Sequence, residues 1–330
     1  MTMFRDINSS NSLRLSRECF GIVKYETVIE KHDAIVVYCE FHKTVKFYTN
    51  VHFLVQDKRK DKSLSETSKG FMSIIRDRLS VIIFGTDSVS RLNFLRINPK
   101  TYKYLINELN AFEFKGFNRI GDNTYPNVMA LLTGHFWDED LNLNCSEELK
   151  THFDNCPFIW KDFQRSGYIT ALMEEHPSLG TFNYHRKGFL NPPTDHYIRS
   201  GFLAGDKLLK SNSEMCFGQR LTYEVLHTFS KELQVTYQDG LLFSFFWAAS
   251  LTHDELNLGV FADDSHLQYL KSLKKNRLFS KSILFFMSDH GIRFGSYRQT
   301  DMGRYEENLP YLFIVVPEWF HKEINIKFVY

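Results

Sequence analysis

Residues 81–85, Val-Ile-Ile-Phe-Gly, form an unbroken apolar run of strand length, and Thr86 and Asp87 follow it directly. Residues 241–249 (LLFSFFWAA) and 283–287 (ILFFM) repeat the pattern, with helical stretches between the runs. Strands that are apolar on both faces are typical of a parallel sheet covered by helices on each side. We therefore predict an α/β protein with a three-layer α/β/α fold and a mostly parallel central sheet.

Further elements follow from apolar spacing and from glycine and proline positions. Pro126 suits the first turn of a helix, where its missing N–H costs nothing. In mostly parallel α/β sheets, ligands bind at the carboxyl ends of the strands. Helical patterns lie at residues 98–109, 126–133, 160–165, 218–233 and 266–275, and short strand patterns at residues 112–117, 168–172 and 311–316.

The chain divides into two predicted regions. Residues 1–70 form a small β-rich N-terminal appendage, whose strand patterns lie at 34–38 and 51–55, and a linker that is charged and Ser-rich at 57–69. Residues 71–330 form the main domain. A loop-rich, aromatic insert at about residues 175–217 is interpreted as a cap, in which three histidines have no ligand role: His176, His185 and His196.

Composition excludes several classes of protein. The chain has 330 residues, of which 43% are hydrophobic and 24% charged, as expected for a globular protein. Its formal net charge of +1 gives no overall field that would attract nucleic acid. The polar N-terminus shows no signal-peptide core, and no apolar run is long enough for a transmembrane segment.

The five cysteines do not include a CxxC pair, which argues against a thiolate zinc site. Cys145 and Cys156 are spaced to close a small loop in an oxidising compartment. Asn8 and Asn144 each begin a glycosylation sequon, which is a weak signal by itself.

Four polar residues lie where a metal-activated nucleophile is expected. Asp87 and the pair Asp289-His290 each follow an apolar strand, and Thr124 precedes a helical pattern. A divalent metal lowers the pKa of a hydroxyl that it binds and polarises a phosphoryl or sulfuryl oxygen. We predict that Asp87, Asp289 and His290 bind one metal ion, preferably zinc over manganese or calcium, with Thr124 as both ligand and nucleophile.

The same residues carry a family resemblance. Residues 124–134, TYPNVMALLTG, resemble the nucleophile motif of the alkaline phosphatase superfamily, especially the Thr-Phe-Pro-Asn form of nucleotide pyrophosphatase/phosphodiesterases, and parallel the sulfatase Cys-x-Pro-Ser-Arg motif. Residues 84–91 (FGTDSVSR) and 288–291 (SDHG) resemble the metal-ligand strands. Longer blocks, from DSVSRLNFLRINPKTYKYL to RYEENLPYLFIVVPEWF, are similar to an uncharacterised metazoan branch that is expanded in nematodes.

The resemblance implies an alkaline-phosphatase-like catalytic domain at residues 71–330 that lacks its C-terminal part. Relatives supply a further His after the segment that matches residues 311–316. In this sequence His321 does not lie in a matching motif, so the resemblance supports one metal site and leaves a second doubtful. The implied activity is hydrolysis or transfer of a phosphate ester, with a small-molecule, glycan or lipid phosphoester as substrate. Relatives are mostly extracellular or secretory, which implies the same location here.

Two other functions stay open. One is a catalytically inactive, secreted-type binding protein of the same fold. The other is a sulfatase-like sulfuric ester hydrolase, although Thr124 cannot become the formylglycine that sulfatases use.

Four further residues are candidates for the reaction or for substrate binding. His253 follows the strand at 241–249, where relatives place a second-site ligand or substrate-binding histidine, and is a candidate catalytic residue. Asn123 and Asn127 flank Thr124 and are candidate ligands of phosphoryl oxygens, although packing or turn roles are equally consistent with the sequence. Arg91 is a candidate anion-binding residue, with a surface charge as the alternative.

Overall fold

The computed structural model describes residues 3–5, 13–15, 28–29, 32–41, 45–60, 78–136, 151–209 and 215–323. Strands in these ranges are numbered β1 to β13 in chain order: Met3–Arg5, Leu13–Leu15, Ala34–Phe41, Val45–Phe53, Ser80–Thr86, Phe112–Glu113, Ile169–Glu174, His196–Tyr197, Cys216–Phe217, Arg220–Leu221, Leu242–Ala248, Ser282–Ser288 and Leu312–Val315. The α-helices in them are numbered α1 to α9: Arg91–Ile97, Pro99–Asn107, Thr124–Thr133, Ile159–Arg165, Arg199–Leu208, Thr222–Thr236, Asp263–Lys275, Asp301–Asn308 and Glu318–Glu323.

Seven of these strands form one sheet in the order β6-β13-β12-β5-β11-β7-β8. The five strands from β12 to β8 run parallel to their neighbours, whereas β13 is antiparallel to β12 and β6 is antiparallel to β13. Strand β5 is central and has β11 and β12 on its two sides. The predicted α/β class with a mostly parallel sheet is confirmed.

Alternate residues of the central strands enter two separate cores. Ile82 and Phe84 of β5 face a cluster that includes Tyr223 of α6 and Leu270 of α7. Ile83 faces a second cluster that includes residues of α3 and α4. Because side chains alternate across a strand, apolar residues at every position are needed to fill both helical layers.

Several element boundaries differ from the predictions. The helix predicted at 98–109 is α2, which ends at Asn107. A separate helix, α1, comes directly before it, and Asn98 divides the two because it precedes Pro99 and leaves helical geometry at φ −123° and ψ 49°. The helix predicted from residue 218 begins at Thr222, since Gly218, at φ +65°, turns the short β9–β10 hairpin. The strand predicted at 112–117 is only β6, and helices α1, α5, α8 and α9 were not predicted.

The hairpin of β3 and β4 packs on the main body. The Phe53 ring contacts Phe202 and Phe217, with ring centroids 4.8 and 5.7 Å apart. In the predicted linker, Lys58 lies in a short 3-10 turn, where its N–H donates to Tyr237 Oη. Residues 61–69 of that linker lie outside the described residues, and the domain boundary near residue 70 stays a prediction.

The predicted cap packs against helix α3. Its rings Phe182 and Phe189 share a buried cluster with Tyr125 of α3, and the Arg186 guanidinium lies 3.6 Å from the Tyr125 ring centroid. The insert also contributes β8, which extends the main sheet beside β7. His196 on β8 is buried against Tyr237, with 2.8 Å between Nε2 and Oη.

Cys156 is disulfide-bonded, whereas its predicted partner Cys145 lies outside the described residues. Cys39 and Cys216 are free thiols. In the described part of the chain, every helix is too short or too polar to cross a lipid bilayer.

Candidate metal centre

Asp87 begins the turn that follows β5 and is only 2% exposed. Its N–H donates to Ala248 O of the neighbouring strand, and its Oδ1 accepts from Ser88 Oγ at 2.8 Å. Ser88 has φ +63°, a left-handed conformation that is uncommon for a residue with a side chain. This turn directs the Ser88 N–H to Asp289 Oδ1 at 3.1 Å, which joins the two acidic loops.

Asp289 and His290 follow β12, the strand beside β5, and are 3% and 0% exposed. Asp289 Oδ1 accepts hydrogen bonds from the backbone N–H groups of Ser88 and His290. His290 Nδ1 donates to Gly291 O at 2.8 Å, so that Nε2 carries the lone pair. Gly291 itself approaches the backbone of Glu306 so closely that a Cβ at this position would clash.

Thr124 is the first residue of α3, whose N-cap is Asn123 in an extended conformation. Its hydroxyl donates to Asp87 Oδ2 at 3.2 Å and lies 3.5 Å from His290 Nε2. The N-terminal N–H groups and the dipole of α3 favour negative charge at this point. The structure therefore brings together all four residues that were predicted to bind the metal.

The donor set fits a divalent cation. One ligand atom from each of Asp87, Asp289 and His290 lies within 4.8 Å of the others. Asp289 Oδ2 is buried without a hydrogen-bond partner, and His290 Nε2 faces it at 3.2 Å. Two carboxylates, an imidazole and a hydroxyl are a ligand set that zinc accepts, with a coordination position left for a substrate.

The carboxylates repel each other in the absence of a cation. Burial, and after it the charge of Asp289, raise the pKa of Asp87 to about 7 against the opposing effects of His290, Ser88 and Thr124. Within the described residues, neither carboxylate forms an ion pair with a Lys or Arg side chain. A bound cation would remove this electrostatic penalty.

His253 lies outside the cluster of Asp87, Asp289 and His290. Its ring contacts Phe294 of the loop that begins with Asp289 and His290, with ring centroids 5.6 Å apart. Its Nδ1 lies 2.8 Å from Asp254 Oδ1, and its side chain is 21% exposed. Its catalytic role stays a prediction.

The other candidates have structural partners. Asn127 uses its whole amide to brace the loop before α3: its Oδ1 accepts from Ile120 N and Gly121 N, and its Nδ2 donates to Gly121 O and Asn123 O. Arg91 forms an ion pair with Glu113 at 2.6 Å. Asn123 is exposed and makes no side-chain cap bond, which leaves it accessible to a substrate.

Two serines that the sequence analysis did not single out complete the site. Ser88 links Asp87 to Asp289, and Ser288 Oγ accepts from Val89 N at 2.9 Å. Their positions directly beside the acidic residues were the only signal in the sequence.

Two arginines hold the loop after His290 in place. Arg119 and Arg298 both form ion pairs with the Glu307 carboxylate, and the carbonyl oxygen of Glu307 accepts a hydrogen bond from Gly291 N.

A family model described as "Protein of unknown function (DUF229)" matches residues 5–329, almost the whole chain. The chain belongs to the DUF229 family. The sequence matches no curated protein.

Solved structures share the fold of this DUF229 chain. The lipoteichoic acid synthase LtaP from Listeria monocytogenes is 14% identical, with a TM-score of 0.50 over 73% of this chain and 66% of LtaP. A protein in the alkaline phosphatase superfamily from Vibrio parahaemolyticus is 14% identical, with a TM-score of 0.50 over 72% of this chain and 60% of that one. The PsFucS1 sulfatase from Pseudoalteromonas sp. is 13% identical, with a TM-score of 0.50 over 75% of this chain and 64% of the sulfatase.

These similarities confirm an alkaline-phosphatase-like fold. The DUF229 chain matches less than two thirds of the length of each of these three structures.

Proposed function

We propose that this DUF229 protein is a metal-dependent hydrolase or transferase that acts on phosphate esters through Thr124. One observation carries the proposal: the Thr124 hydroxyl, at the N-terminus of α3, donates to a carboxylate of a buried Asp-Asp-His cluster. A free threonine hydroxyl is a poor nucleophile at neutral pH and needs such an environment to react.

Asp87, Asp289 and His290 would hold the metal, which would supply positive charge to the nucleophile and to the phosphoryl oxygen. Thr124 Oγ would then form a bond to phosphorus while the bond from phosphorus to the leaving oxygen breaks. The proton of the Thr124 hydroxyl passes through solvent to the leaving oxygen, which departs as an alcohol. The resulting phosphothreonine is resolved by water in a hydrolase or by an acceptor hydroxyl in a transferase. The N–H groups at the start of α3 favour the negative charge of the phosphoryl group.

Zinc is the preferred metal, because the ligand set combines imidazole with carboxylates and lies in a tight, buried cluster. Small-molecule, glycan or lipid phosphoesters are the proposed substrates. The disulfide at Cys156 supports an extracellular or secretory location, since disulfides persist in oxidising compartments.

Elemental analysis of the purified protein beside Asp289→Asn tests the metal site. We expect one equivalent of metal in the wild-type protein and a loss in the variant. Asp264→Asn, at an exposed carboxylate that pairs with Lys100, is the matched control and should keep its metal. No metal in the wild-type protein would favour an inactive binding protein.

Turnover of phosphomonoesters, phosphodiesters and sulfate esters, compared between wild type, Thr124→Ala and Thr124→Ser, tests the nucleophile. Thr124→Ala should lower kcat by at least about 10³-fold at equal metal content, whereas Thr124→Ser should retain measurable activity. Activity of Thr124→Ala close to the wild-type rate would exclude the proposed mechanism, and turnover of only sulfate esters would favour the sulfatase-like alternative.

A further inference from the structure

One buried carboxylate, that of Glu306 in α8, contacts both chain segments that begin with candidate metal ligands. Glu306 is only 2% exposed. Its Oε2 accepts a hydrogen bond from Ser90 Oγ at 2.6 Å, and its Oε1 accepts one from Tyr297 Oη at 2.7 Å. Ser90 follows Asp87 in the turn after β5, and Tyr297 follows His290 in the loop after β12. The Glu306 side chain therefore joins these two segments directly.

Arg96 of α1 fixes the orientation of this carboxylate. Its Nη1 donates to Glu306 Oε1 at 2.9 Å, and its Nη2 donates to Oε2 at 2.6 Å. A two-point contact between arginine and a carboxylate fixes direction as well as distance. Burial raises the pKa of Glu306, but hydrogen bonds from Arg96, Ser90 and Tyr297 lower it below its ordinary value overall. Each carboxylate oxygen thus accepts two hydrogen bonds, and the group is ionised at neutral pH.

The backbone of α8 also contacts the residue that follows His290. Gly291 N donates to Glu307 O at 2.9 Å. A Cβ added at Gly291 would lie 2.4 Å from Glu306 O, so the two backbones are in close contact. Because the Glu306 carboxylate bonds to Ser90 at the same time, α8 helps to set the distance between the two ligand segments.

The candidate ligands lie just beyond the last pair of the strand ladder. The pairing of β5 with β12 ends at Thr86 and Ser288. Asp87 Oδ1 and His290 Nε2 are 3.8 Å apart. Zinc binds oxygen and nitrogen at about 2.0–2.2 Å, so its affinity depends on how closely the ligand atoms keep their separation. Partners that orient metal ligands typically change affinity by roughly 10- to 100-fold.

We propose that Glu306 is a positioning residue of the metal centre. Its carboxylate joins the segment after Asp87 to the segment after His290 and keeps their ligand atoms at the separation that one cation requires. This role rests on the proposed function, because it presupposes the metal site. It predicts an effect on metal affinity and on the mobility of the ligand segments.

Asp263 of α7 provides a matched control. It is also a buried carboxylate, at 5% exposure. Its Oδ1 accepts from Thr101 N at 2.8 Å and from Thr101 Oγ1 at 2.7 Å, and its Oδ2 accepts from Lys100 N at 3.1 Å. These partners belong to α2, which carries no candidate metal ligand. Asp263→Asn therefore perturbs a buried hydrogen-bonded carboxylate without touching the ligand segments.

The Kd for zinc, measured by competition with a chromophoric chelator, tests the effect on affinity. Glu306→Gln replaces an acceptor oxygen with a donor N–H2 that faces other donors, so we expect its Kd to rise by about 10-fold or more. Tyr297→Phe removes a single bond to Glu306 and should raise Kd by a smaller factor, which keeps the test decisive if Glu306→Gln fails to fold.

The control separates positioning from a general loss of stability. Asp263→Asn should lower Tm but keep Kd within about twofold of the wild-type value. An unchanged Kd in both Glu306→Gln and Tyr297→Phe would overturn the proposal. Equal increases in Glu306→Gln and Asp263→Asn would overturn it as well, because they would reflect general destabilisation.

Amide hydrogen exchange in the metal-free protein provides a test that needs no zinc. The N–H groups of Ser88 and His290 both donate to Asp289 Oδ1. In Glu306→Gln they should exchange about 10-fold faster than in the wild type, whereas the N–H of Phe245 in β11 should be unchanged. Unchanged exchange at Ser88 and His290 would overturn the positioning role whether or not zinc binds. A wild-type protein that binds no zinc would contradict the proposed function instead.

Discussion

His290 Nε2 lies 3.2 Å from Asp289 Oδ2, although these two chain neighbours present a lone pair and a carboxylate oxygen to each other. The arrangement arises because His290 Nδ1–H donates a hydrogen bond to Gly291 O. In addition, the backbone N–H groups of Ser88 and His290 donate to Oδ1, the other carboxylate oxygen of Asp289. Both side chains are therefore held in place by the backbone, and His290 Nε2 also lies 3.5 Å from the Thr124 hydroxyl. Such a geometry is stable when a cation lies between the two atoms.

Ser88 should control metal affinity without binding the metal itself. Its Oγ donates to Asp87 Oδ1, and its N–H donates to Asp289 Oδ1. Ser88→Ala removes only the first bond, so we expect the Kd for zinc to rise by about 10-fold, as for other residues that orient metal ligands. Ser88→Gly loses the same bond but relieves the left-handed φ of +63°, and should be the more stable of the two variants. Competition with a chromophoric chelator, together with Tm, measures both effects, and an unchanged Kd in both variants would contradict this role.

Asn127 and Asn123 should respond differently to truncation. Asn127→Ala removes four hydrogen bonds to the loop before α3 and should lower the free energy of unfolding by about 2 kcal/mol in urea. Asn123→Ala removes no side-chain cap bond and should change it by less than about 0.5 kcal/mol. A fall in kcat/KM for Asn123→Ala at unchanged stability is the expected sign of a substrate contact. Equal stabilities for both variants would contradict the bracing role of Asn127.

Gly85 should tolerate no side chain. A Cβ at this position would overlap the Trp247 ring on the adjacent strand, whereas a Cβ at Gly116 would meet no atom within 4 Å. Gly85→Ala should therefore destabilise the protein by about 3 kcal/mol, and Gly116→Ala by less than about 0.5 kcal/mol. Urea unfolding of both variants measures the difference. A stable Gly85→Ala protein would show that Trp247 can rotate away at little cost.

The sequence predicted the parts of the site that depend on strand ends. Asp87 and Asp289-His290 follow apolar runs, and parallel strands end at the same edge of a sheet, so their convergence needed no knowledge of loop geometry. Thr124 was found by its place before a helix, but the sequence placed that helix two residues late, because Pro126 is as acceptable at the third helical position as at the first.

Long-range pairing explains what the sequence could not show. Arg91 pairs with Glu113, 22 positions away, and the Asn127 amide turns back to residues 120–123, so two candidate substrate ligands have structural partners. The sequence places Glu175 just past a strand, but only the fold shows that its carboxylate accepts hydrogen bonds from the backbone N–H groups of Ala249 and Ser250. Such contacts depend on the packed positions of several elements together, and local patterns do not encode them.

A buried histidine pair should make the protein less stable in acid. His227 Nε2 lies 3.1 Å from His266 Nδ1, and the His227 ring is stacked on the Phe84 and Tyr269 rings, with centroids 4.9 and 4.8 Å away. Burial lowers the pKa of His266 to about 3, and burial together with His266 lowers the pKa of His227 well below its ordinary value. In the unfolded chain both histidines titrate near pH 6.5.

Below about pH 6.5 the unfolded state therefore binds more protons than the native state. The free energy of unfolding consequently falls as pH falls toward 3. The slope is up to about 1.4 kcal/mol per pH unit for each histidine. Glu175, whose pKa burial raises to about 7, acts in the opposite direction, so the difference between wild type and His266→Gln isolates the effect of His266. Urea unfolding at pH 7.5, 6 and 5 should show a shallower pH dependence in His266→Gln, whereas His185→Gln, at an exposed position, should follow the wild-type curve. Parallel curves for all three proteins would mean that the native state accommodates the proton on His266 without loss of stability.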